Sequence, residues 1–341
     1  MTILNALSEK LTPLFFALGS NFSLYSLAFA FSVAVGFLAY RQWRRRGHIR
    51  PAALARAFFS RRVMLHRSTR ADVGYFLLNT FVTGALIGWA CLTVGEMSQF
   101  VESSLTDRFG ARAAPDAPEF ALRAAVTIIA FLAYEFGYWF DHYLKHRIPF
   151  LWEMHKTHHT AQTLTPWTVW RVHPLDSFVF VNMLVLCVGS VVGVMSWAFG
   201  AHTRIYAIDG ANVLLVFFFF AYVHLQHSQV WIPFTGALGR IFMSPAHHQI
   251  HHSIDPAHYN CNMGSCLAVW DWMFGALEVP ATQSPRLVYG VDEPGVDPHS
   301  VTQLLIAPVR NSIVALPPHA PETPAQAFGL ESQPVKPPIN R

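Results

Sequence analysis

The chain has 341 residues, of which 52% are hydrophobic and only 13% are charged. That charged fraction is about half of what is usual in a soluble domain, which argues against an ordinary soluble protein and favours a membrane protein. The four cysteines form no Cys-x-x-Cys pair, so the sequence indicates neither a disulfide framework nor a thiolate metal site.

Apolar stretches predict membrane-spanning helices, because about 20 apolar residues in a helix cross the hydrocarbon layer. Five such stretches lie at approximately 22–40, 73–94, 121–141, 177–199 and 209–226. We therefore expect an all-α fold, a polytopic membrane helical bundle with about five crossings. The first stretch lacks the short apolar core and cleavage site of a secretory signal, and we interpret it as a retained span.

A basic segment follows the first stretch: residues 41–70 contain ten arginines and no acidic residue. Such a segment between two spans is far more often a cytoplasmic topology determinant than a nucleic-acid site, so we predict a cytoplasmic loop at 41–72 and no nucleic-acid partner. Contact with anionic lipid head groups is compatible with this interpretation. The same topology predicts that residues 142–173 and the chain from His227 onward are cytoplasmic, and that His202 lies outside.

Of the 18 histidines, 14 lie between His142 and His258. His142 and His146, at the end of the third stretch, are four residues apart and share one face of a continued helix. Taken alone, such a pair is more often a polar anchor at the membrane surface than a pair of metal ligands.

A triplet with spacing i, i+3, i+4 occurs twice, first at His155, His158 and His159. Considered by itself, that triplet is explained equally well as a solvated polar turn. The spacing recurs at His248, His251 and His252, where Ser244 followed by Pro245 predicts the start of a helix. Recurrence at two remote places favours metal binding, because imidazole is a good ligand for Fe, Zn and Cu. Since one ion takes about four to six ligands, two ions fit this number of histidines better.

Further candidates surround these clusters. His227, at the end of the fifth stretch, is the preferred extra ligand, and no Glu-x-x-His or His-Glu-x-x-His motif occurs that would indicate a carboxylate-bridged bundle or a zinc protease. Glu135 and Arg171 are candidates for orienting the ligand rings, although Glu135 is equally interpreted as a buried partner of an arginine. Residues predicted as additional ligands, or as groups that orient the ligands, are His224, His247, His173, His258, Asp141 and Asn262.

The series His142-x3-His146, His155-x2-His158-His159 and His248-x2-His251-His252 resembles the fatty acid hydroxylase and sterol desaturase superfamily. Supporting runs look most like its alkylglycerol-monooxygenase-type branch; they are His227-Ser228-Gln229-Val230, Ser244 to His248, Asn262-Met263-Gly264, Trp270-Asp271 and Phe274-Gly275. The resemblance covers approximately residues 120–306.

The resemblance implies a membrane oxidoreductase in which a cytoplasmic, histidine-lined helical cap holds two iron ions, with zinc possible in their place. It implies hydroxylation or desaturation of a fatty acyl, sterol-like or ether lipid, using O2. Because the sequence shows no Gly-rich dinucleotide motif and no cysteine cluster for iron–sulfur, we expect an external ferredoxin- or cytochrome-type electron donor. We predict three parts of the chain: 1–120 with the first spans and the basic loop 41–72, 121–306 with the catalytic domain that carries the resemblance, and a tail at 307–341 that its proline content predicts to be largely disordered. The metal ligands implied by position are His142, His146, His155, His158, His159, His227, His248, His251 and His252.

Two other classes of function are compatible with clustered histidines. A zinc-dependent membrane hydrolase would use the metal as a Lewis acid and would need neither oxygen nor a reductant. A metal transporter or haem-binding membrane protein is disfavoured, because its histidines would be distributed through the spans rather than gathered at one face.

Overall fold

The computed structural model describes residues 3–20, 22–200, 204–291 and 293–315. The predictions for His202 and for the tail beyond residue 315 lie outside these ranges. The described chain is mostly helical with few strands, which confirms the predicted all-α class. Its only paired strands are β1 (Ala207–Ile208) and β2 (Ala211–Asn212), which form a two-residue antiparallel hairpin.

The N-terminal part forms the first spans and the basic segment between them. A short π-helix at Asn79–Thr83 and a 3-10 turn at Gly88–Ala90 flank the short α-helix at Gly84–Ile87. The helices are α1 (Ile3–Phe16), α2 (Leu24–Arg46), α3 (Pro51–Phe58), α4 (Arg61–Met64), α5 (Arg67–Leu78), α6 (Gly84–Ile87) and α7 (Val94–Phe109).

The remaining part contains two long helices followed by shorter ones. Further helical turns lie at Pro166–Trp170, Phe219–Val223 and Pro256–His258. The helices are α8 (Glu119–Arg147), α9 (Pro149–His159), α10 (Pro174–Phe199), α11 (Val213–Phe218), α12 (His224–Gln226), α13 (Gly236–Ile241), α14 (Pro245–His251), α15 (Val269–Met273) and α16 (Val301–Ala315).

Among the described residues, four helical runs are long and apolar enough to cross a membrane: Leu24–Arg46, Arg67–Phe109, Glu119–Arg147 and Pro174–Phe199. They contain four of the five predicted spans. The fifth predicted stretch contains a shorter apolar helix, Val213–Gln226, which has fewer than the ~20 residues that a helix needs to cross by itself.

The hairpin β1–β2 explains why the fifth run is short. The Asn212 side-chain amide donates to the carbonyl of Thr127 at 2.8 Å, and Asp209 accepts from the backbone N–H of Leu18 at 2.7 Å. Thr127 lies eight residues into α8, which is about 12 Å along a helix axis. The chain therefore turns back beside Thr127, and the helical run that returns from Asn212 to His227 is shorter than α8.

Helix α10 packs closely against α7 because of two small residues on one face. A Cβ on Gly189 would lie 2.6 Å from Cβ of Met97, and one on Gly193 would lie 2.6 Å from the carbonyl oxygen of Ser98. Glycines four residues apart allow such close approach of membrane helices. These contacts fix α10, whose first turn reaches the histidine cluster.

Helix α16 extends across the predicted domain boundary at residue 306. It packs on α9, where the Ser312 hydroxyl donates to the carbonyl of Phe150 at 2.9 Å, and the carbonyl of Leu305 lies 3.1 Å from Nε2 of His173. Residues 307–315 are therefore helical and supply part of the packing around the helix that carries three of the predicted ligands.

Candidate metal centre

Four segments bring the histidine clusters together. Helix α8 continues to Arg147, so His142 and His146 share a face, and Pro149 then begins α9, which carries the next three histidines. As predicted, Ser244 caps α14 and Pro245 occupies its first turn; the Ser244 side chain accepts from the backbone N–H of His247. His227 follows α12 directly. All nine predicted ligands are thereby collected into two adjacent groups.

The first histidine group consists of five rings from α8, α9 and α14: His142, His146, His155, His159 and His251. Their contacting ring centroids are 4.6 to 5.1 Å apart. The Nε2 atom of every member is buried and has no hydrogen-bond partner. Five unsatisfied acceptors or donors facing one another would be costly without a common partner.

The second histidine group consists of His158, His227, His248 and His252. Nε2 of His227 lies 3.1 Å from Nε2 of His158, 2.9 Å from that of His248 and 3.2 Å from that of His252. For ligand bonds of about 2.1 Å, neighbouring ligand atoms are about 3.0 to 3.4 Å apart, so these separations suit four nitrogens around one cation. The two groups adjoin, with the rings of His159 and His252 4.7 Å apart.

Contacts at Nδ1 determine which ring nitrogen carries the proton. Nδ1 of His142 lies 2.8 Å from the carbonyl oxygen of Met263, and Nδ1 of His251 lies 2.7 Å from that of Cys261. Nδ1 of His158 is 3.3 Å from the carbonyl of Arg171. Because a carbonyl oxygen can only accept, each Nδ1 must donate, which leaves an unprotonated Nε2 directed into the groups.

Asn262 lies between Cys261 and Met263, whose carbonyls contact His251 and His142 respectively. It has a left-handed backbone with φ of 56°, a conformation that asparagine tolerates better than most residues. Its side-chain amide donates to the carbonyls of His247 at 3.1 Å and Glu278 at 2.9 Å. Asn262 therefore holds the backbone that orients the rings and does not join either group.

A buried ion network borders the first group. Lys145 Nζ is 2.7 Å from Oδ2 of Asp141 and also contacts the Asp176 carboxylate. The other oxygen of Asp176 accepts from Nδ1 of His155 at 3.3 Å. Asp141, predicted to orient a ring, thus acts on Lys145 instead. The sequence interpretation missed Asp176, although its place three residues after His173, in the first turn of α10, was visible.

Electrostatics keep the groups in the state that a metal requires. Burial lowers the pKa of His251 and of His227 to about 3, with neighbouring histidines as a further lowering cause and, for His251, an opposing hydrogen bond to the Cys261 carbonyl. Burial and neighbouring histidines also hold the pKa of His158, His159, His248 and His252 well below the usual value of 6.5. These imidazoles are therefore neutral at pH 7, as ligation demands.

The other predicted histidines lie outside both groups. Nε2 of His224 is 2.8 Å from the Ser26 hydroxyl, and Nδ1 of His173 accepts the backbone N–H of Leu175 at the start of α10. Nε2 of His247 lies 3.0 Å from the carbonyl of Gly239, and its Nδ1 accepts from Ser244 at the start of α14. His258 lies in the turn at Pro256–His258. The first three stabilise helices around the centre.

Glu135 and Arg171 have different partners from those predicted. Glu135 is fully buried but accepts the backbone N–H groups of Cys266 and Leu267 at 2.9 and 2.8 Å, so its partner is not an arginine. The Arg171 guanidinium pairs with Asp72 at 3.3 Å, while its carbonyl meets His158. Arg171 thus reaches a ligand through its backbone.

Two cavities adjoin the histidine groups. One of about 240 Å³ is lined by His142 and His155 of the first group, by His158 and His227 of the second, and by Tyr134, Tyr138 and Phe180 from α8 and α10. The other, of about 380 Å³, lies on the opposite set of rings, with His146, His159, His251 and His252 in its wall beside Trp152 and Tyr259. The centre is therefore reachable by two routes.

Comparison with known proteins agrees with this arrangement. Residues 127–276 match the family model described as fatty acid hydroxylase. Alkylglycerol monooxygenase of Homo sapiens is 26% identical over 165 residues, which cover 48% of this chain and 33% of the relative. Ornithine lipid hydroxylase OlsE of Rhizobium tropici is 28% identical over 157 residues, covering 46% and 43%.

The chain thus spans only about a third of the length of the alkylglycerol monooxygenases that it matches. No solved structure matches it. The matched region contains all nine histidines of the two groups and lies within the predicted domain 121–306. Residues 127–276 therefore form a fatty acid hydroxylase domain, and the resemblance to the fatty acid hydroxylase and sterol desaturase superfamily is confirmed.

Proposed function

We propose that this protein is a membrane oxygenase that hydroxylates or desaturates a lipid, with two iron ions held by the two histidine groups. The observation that carries the proposal is the convergence of nine buried imidazoles whose Nε2 atoms face one another without protein partners other than each other. An all-nitrogen donor set of this size suits iron, and zinc is an alternative that imidazole ligands also bind.

The metals, when bound, would supply the activation of O2 that an inert C–H bond requires. The protein's own residues keep the imidazoles neutral and oriented: carbonyls of Met263, Cys261 and Arg171 fix three rings, and Asp176 fixes His155. The ion pair with Lys145 holds the buried carboxylate of Asp176 in place.

The cavity of about 240 Å³ is the proposed chamber for the reacting carbon. It touches both histidine groups and lies between two helices long and apolar enough to cross a membrane, α8 and α10. A lipid chain would contact Tyr134, Tyr138 and Phe180 there, while the ion network of Asp141, Lys145 and Asp176 forms another part of the wall. The names of two relatives refer to an alkylglycerol and an ornithine lipid, which supports a lipid as the substrate class here.

Hydroxylation of a C–H bond by O2 forms one alcohol and one water and consumes two electrons and two protons; desaturation consumes the same two electrons and yields two waters. We propose that an external ferredoxin- or cytochrome-type protein delivers these electrons. The cavity of about 380 Å³ offers a second approach to the centre for such reactants, because its wall includes four rings that the lipid chamber does not reach.

We also propose that the centre lies on the cytoplasmic side. The end of the arginine-rich segment contacts the histidine region directly: Ser68 accepts from the backbone N–H of Gln162 at 3.2 Å and from Arg171 at 2.9 Å. The arginine-rich segment and the histidine groups therefore lie at the same end of the helical bundle. Arginine-rich segments between spans are retained in the cytoplasm, which supports this orientation.

The test is oxygen-dependent lipid modification by the purified, iron-loaded protein. With a reduced ferredoxin as donor, lipid mass spectrometry should detect a gain of one oxygen or a loss of two hydrogens, and both should disappear under anaerobic conditions. A zinc-dependent hydrolase is the competing function, since the second group suits zinc equally well. Hydrolysis that proceeds with zinc and without oxygen would overturn the oxygenase.

A further inference from the structure

A separate apolar cavity lies between the first span and the arginine-rich segment. Its volume is about 200 Å³, and α2, the segment from α3 to α4 and the chain at 164–167 form its wall. This volume exceeds the ~150 Å³ of an engineered apolar cavity in another protein that binds benzene. Apolar side chains of the wall include Leu27, Ala30, Phe31, Ala57, Phe58 and Val63.

Several polar side chains in the wall of this cavity are already engaged within the protein. Of the polar side chains in its wall, Thr69 donates to the carbonyl of Val63 at 2.7 Å, Ser228 to that of Leu225 at 2.7 Å, and Gln229 to that of Leu164 at 2.9 Å. Because these groups are already satisfied within the protein, the space suits a hydrocarbon chain.

The cavity is distinct from the proposed lipid chamber at the metal centre. The two share no lining residue, and none of the nine grouped histidines faces the apolar cavity. A chain held here would therefore not present a carbon to the metals.

The segment that contributes Phe59 and Val63 to the cavity wall carries unpaired positive charge, and its Arg61 and Arg62 line an adjoining surface cleft. Arg61 and Arg62 immediately precede Val63 in the wall; both are exposed, and neither forms an ion pair within the described part of the chain. Phe59 and Leu65 are 65% and 69% exposed on the same segment. Arginine next to exposed apolar residues is typical of elements lying at the head-group level of a membrane.

From the apolar interior and the adjoining basic cleft together, we propose that this cavity is a second lipid site, which holds an acyl chain of an anionic phospholipid whose phosphate contacts Arg61 and Arg62. The site is built by α2 to α4 with the matched domain, so it joins the N-terminal spans to the histidine domain. Bound lipid would stabilise that junction and would leave the protein chemically unchanged.

Retention of lipid by the full-length protein tests the proposal. Protein in a neutral detergent is mixed with phosphatidylglycerol or with phosphatidylcholine of the same acyl chains, and bound lipid is counted by native mass spectrometry. Wild-type protein should retain phosphatidylglycerol in preference. The variant Arg61→Gln/Arg62→Gln should bind it roughly 30-fold more weakly, because each arginine near an anionic head group contributes about a fivefold effect. Arg240→Gln/Arg286→Gln, two exposed arginines elsewhere, is the matched control.

The acyl half of the site is tested separately. Ala57→Trp places an indole in the cavity wall, whereas Ala55→Trp changes an exposed alanine of the same helix that does not line it. Only Ala57→Trp should reduce retention. Equal retention by both tryptophan variants, equal retention by both arginine variants, or no preference over phosphatidylcholine would overturn the site. The arginine variants remain decisive if Ala57→Trp fails to fold, and no readout depends on oxygenase activity.

Discussion

Replacing His251 and replacing His247, four residues apart on the same short helix, should have opposite consequences. His251 directs an unpartnered Nε2 into the first histidine group, whereas both ring nitrogens of His247 are bonded to Ser244 and Gly239. We predict that His251→Ala loses the ion of the first group and retains that of the second. His247→Ala should keep both ions but become less stable.

The magnitudes follow from the contacts. Apparent binding energies of about 10 to 16 kcal/mol for four-ligand zinc sites correspond to about 3 kcal/mol per ligand, so His251→Ala should weaken the first site roughly 100-fold. His247→Ala removes hydrogen bonds to Gly239 and to the start of α14, which at about 1 kcal/mol each amounts to roughly 2 kcal/mol of unfolding free energy.

The assay is metal analysis after dialysis against a weak chelator, combined with thermal unfolding in one detergent. His251→Ala should contain half the metal of the wild type, and His248→Ala, which alters the second group, should also contain half. Full metal content in His251→Ala, or loss of metal in His247→Ala at a temperature where it is folded, would refute the assignment of these rings.

Three further predictions concern packing, charge and protons. Lys145→Met leaves two buried carboxylates without their cation and should cost about 3 to 5 kcal/mol of stability, part of which Asp141→Asn restores; unchanged melting would contradict this. Gly193→Ala meets Ser98 and should destabilise by about 1 to 3 kcal/mol, whereas Gly36→Ala meets open space and should not. Metal loading at pH 6.5 should release few protons from six of the grouped histidines, because their lowered pKa values leave these rings already neutral; they are His158, His159, His227, His248, His251 and His252. With an ordinary pKa of about 6.5 these six rings would release about three protons, and calorimetry in buffers of different ionisation enthalpy distinguishes the two outcomes.

The local part of the centre was predictable from sequence because helical spacing is a local property. The pair His142 and His146 and the start of α14 at Ser244 lie where periodicity and capping place them. The division into two groups was not predictable. His158 and His159 are adjacent in sequence yet belong to different groups, and only the mutual packing of α9 and α14 decides which ring faces which ion.

Long-range contacts account for the remaining differences. The fifth apolar stretch is hydrophobic enough to suggest a crossing, but Asn212 ties its beginning to the middle of α8. Asp176 lies in the first turn of an apolar helix and looks in sequence like an ordinary first-turn acid; only the fold places Lys145 and His155 beside it. Burial of a charge depends on partners that are distant in sequence, and a local sequence pattern does not predict those partners.

The position of the metals tests the central claim most directly. An anomalous difference map, recorded at the iron absorption edge from crystals of the iron-loaded protein, would locate each ion relative to the histidine rings. We predict two peaks per chain, one within the group that contains His251 and one within the group that contains His227. A single peak shared by all nine rings, or iron bound outside both groups, would contradict the account.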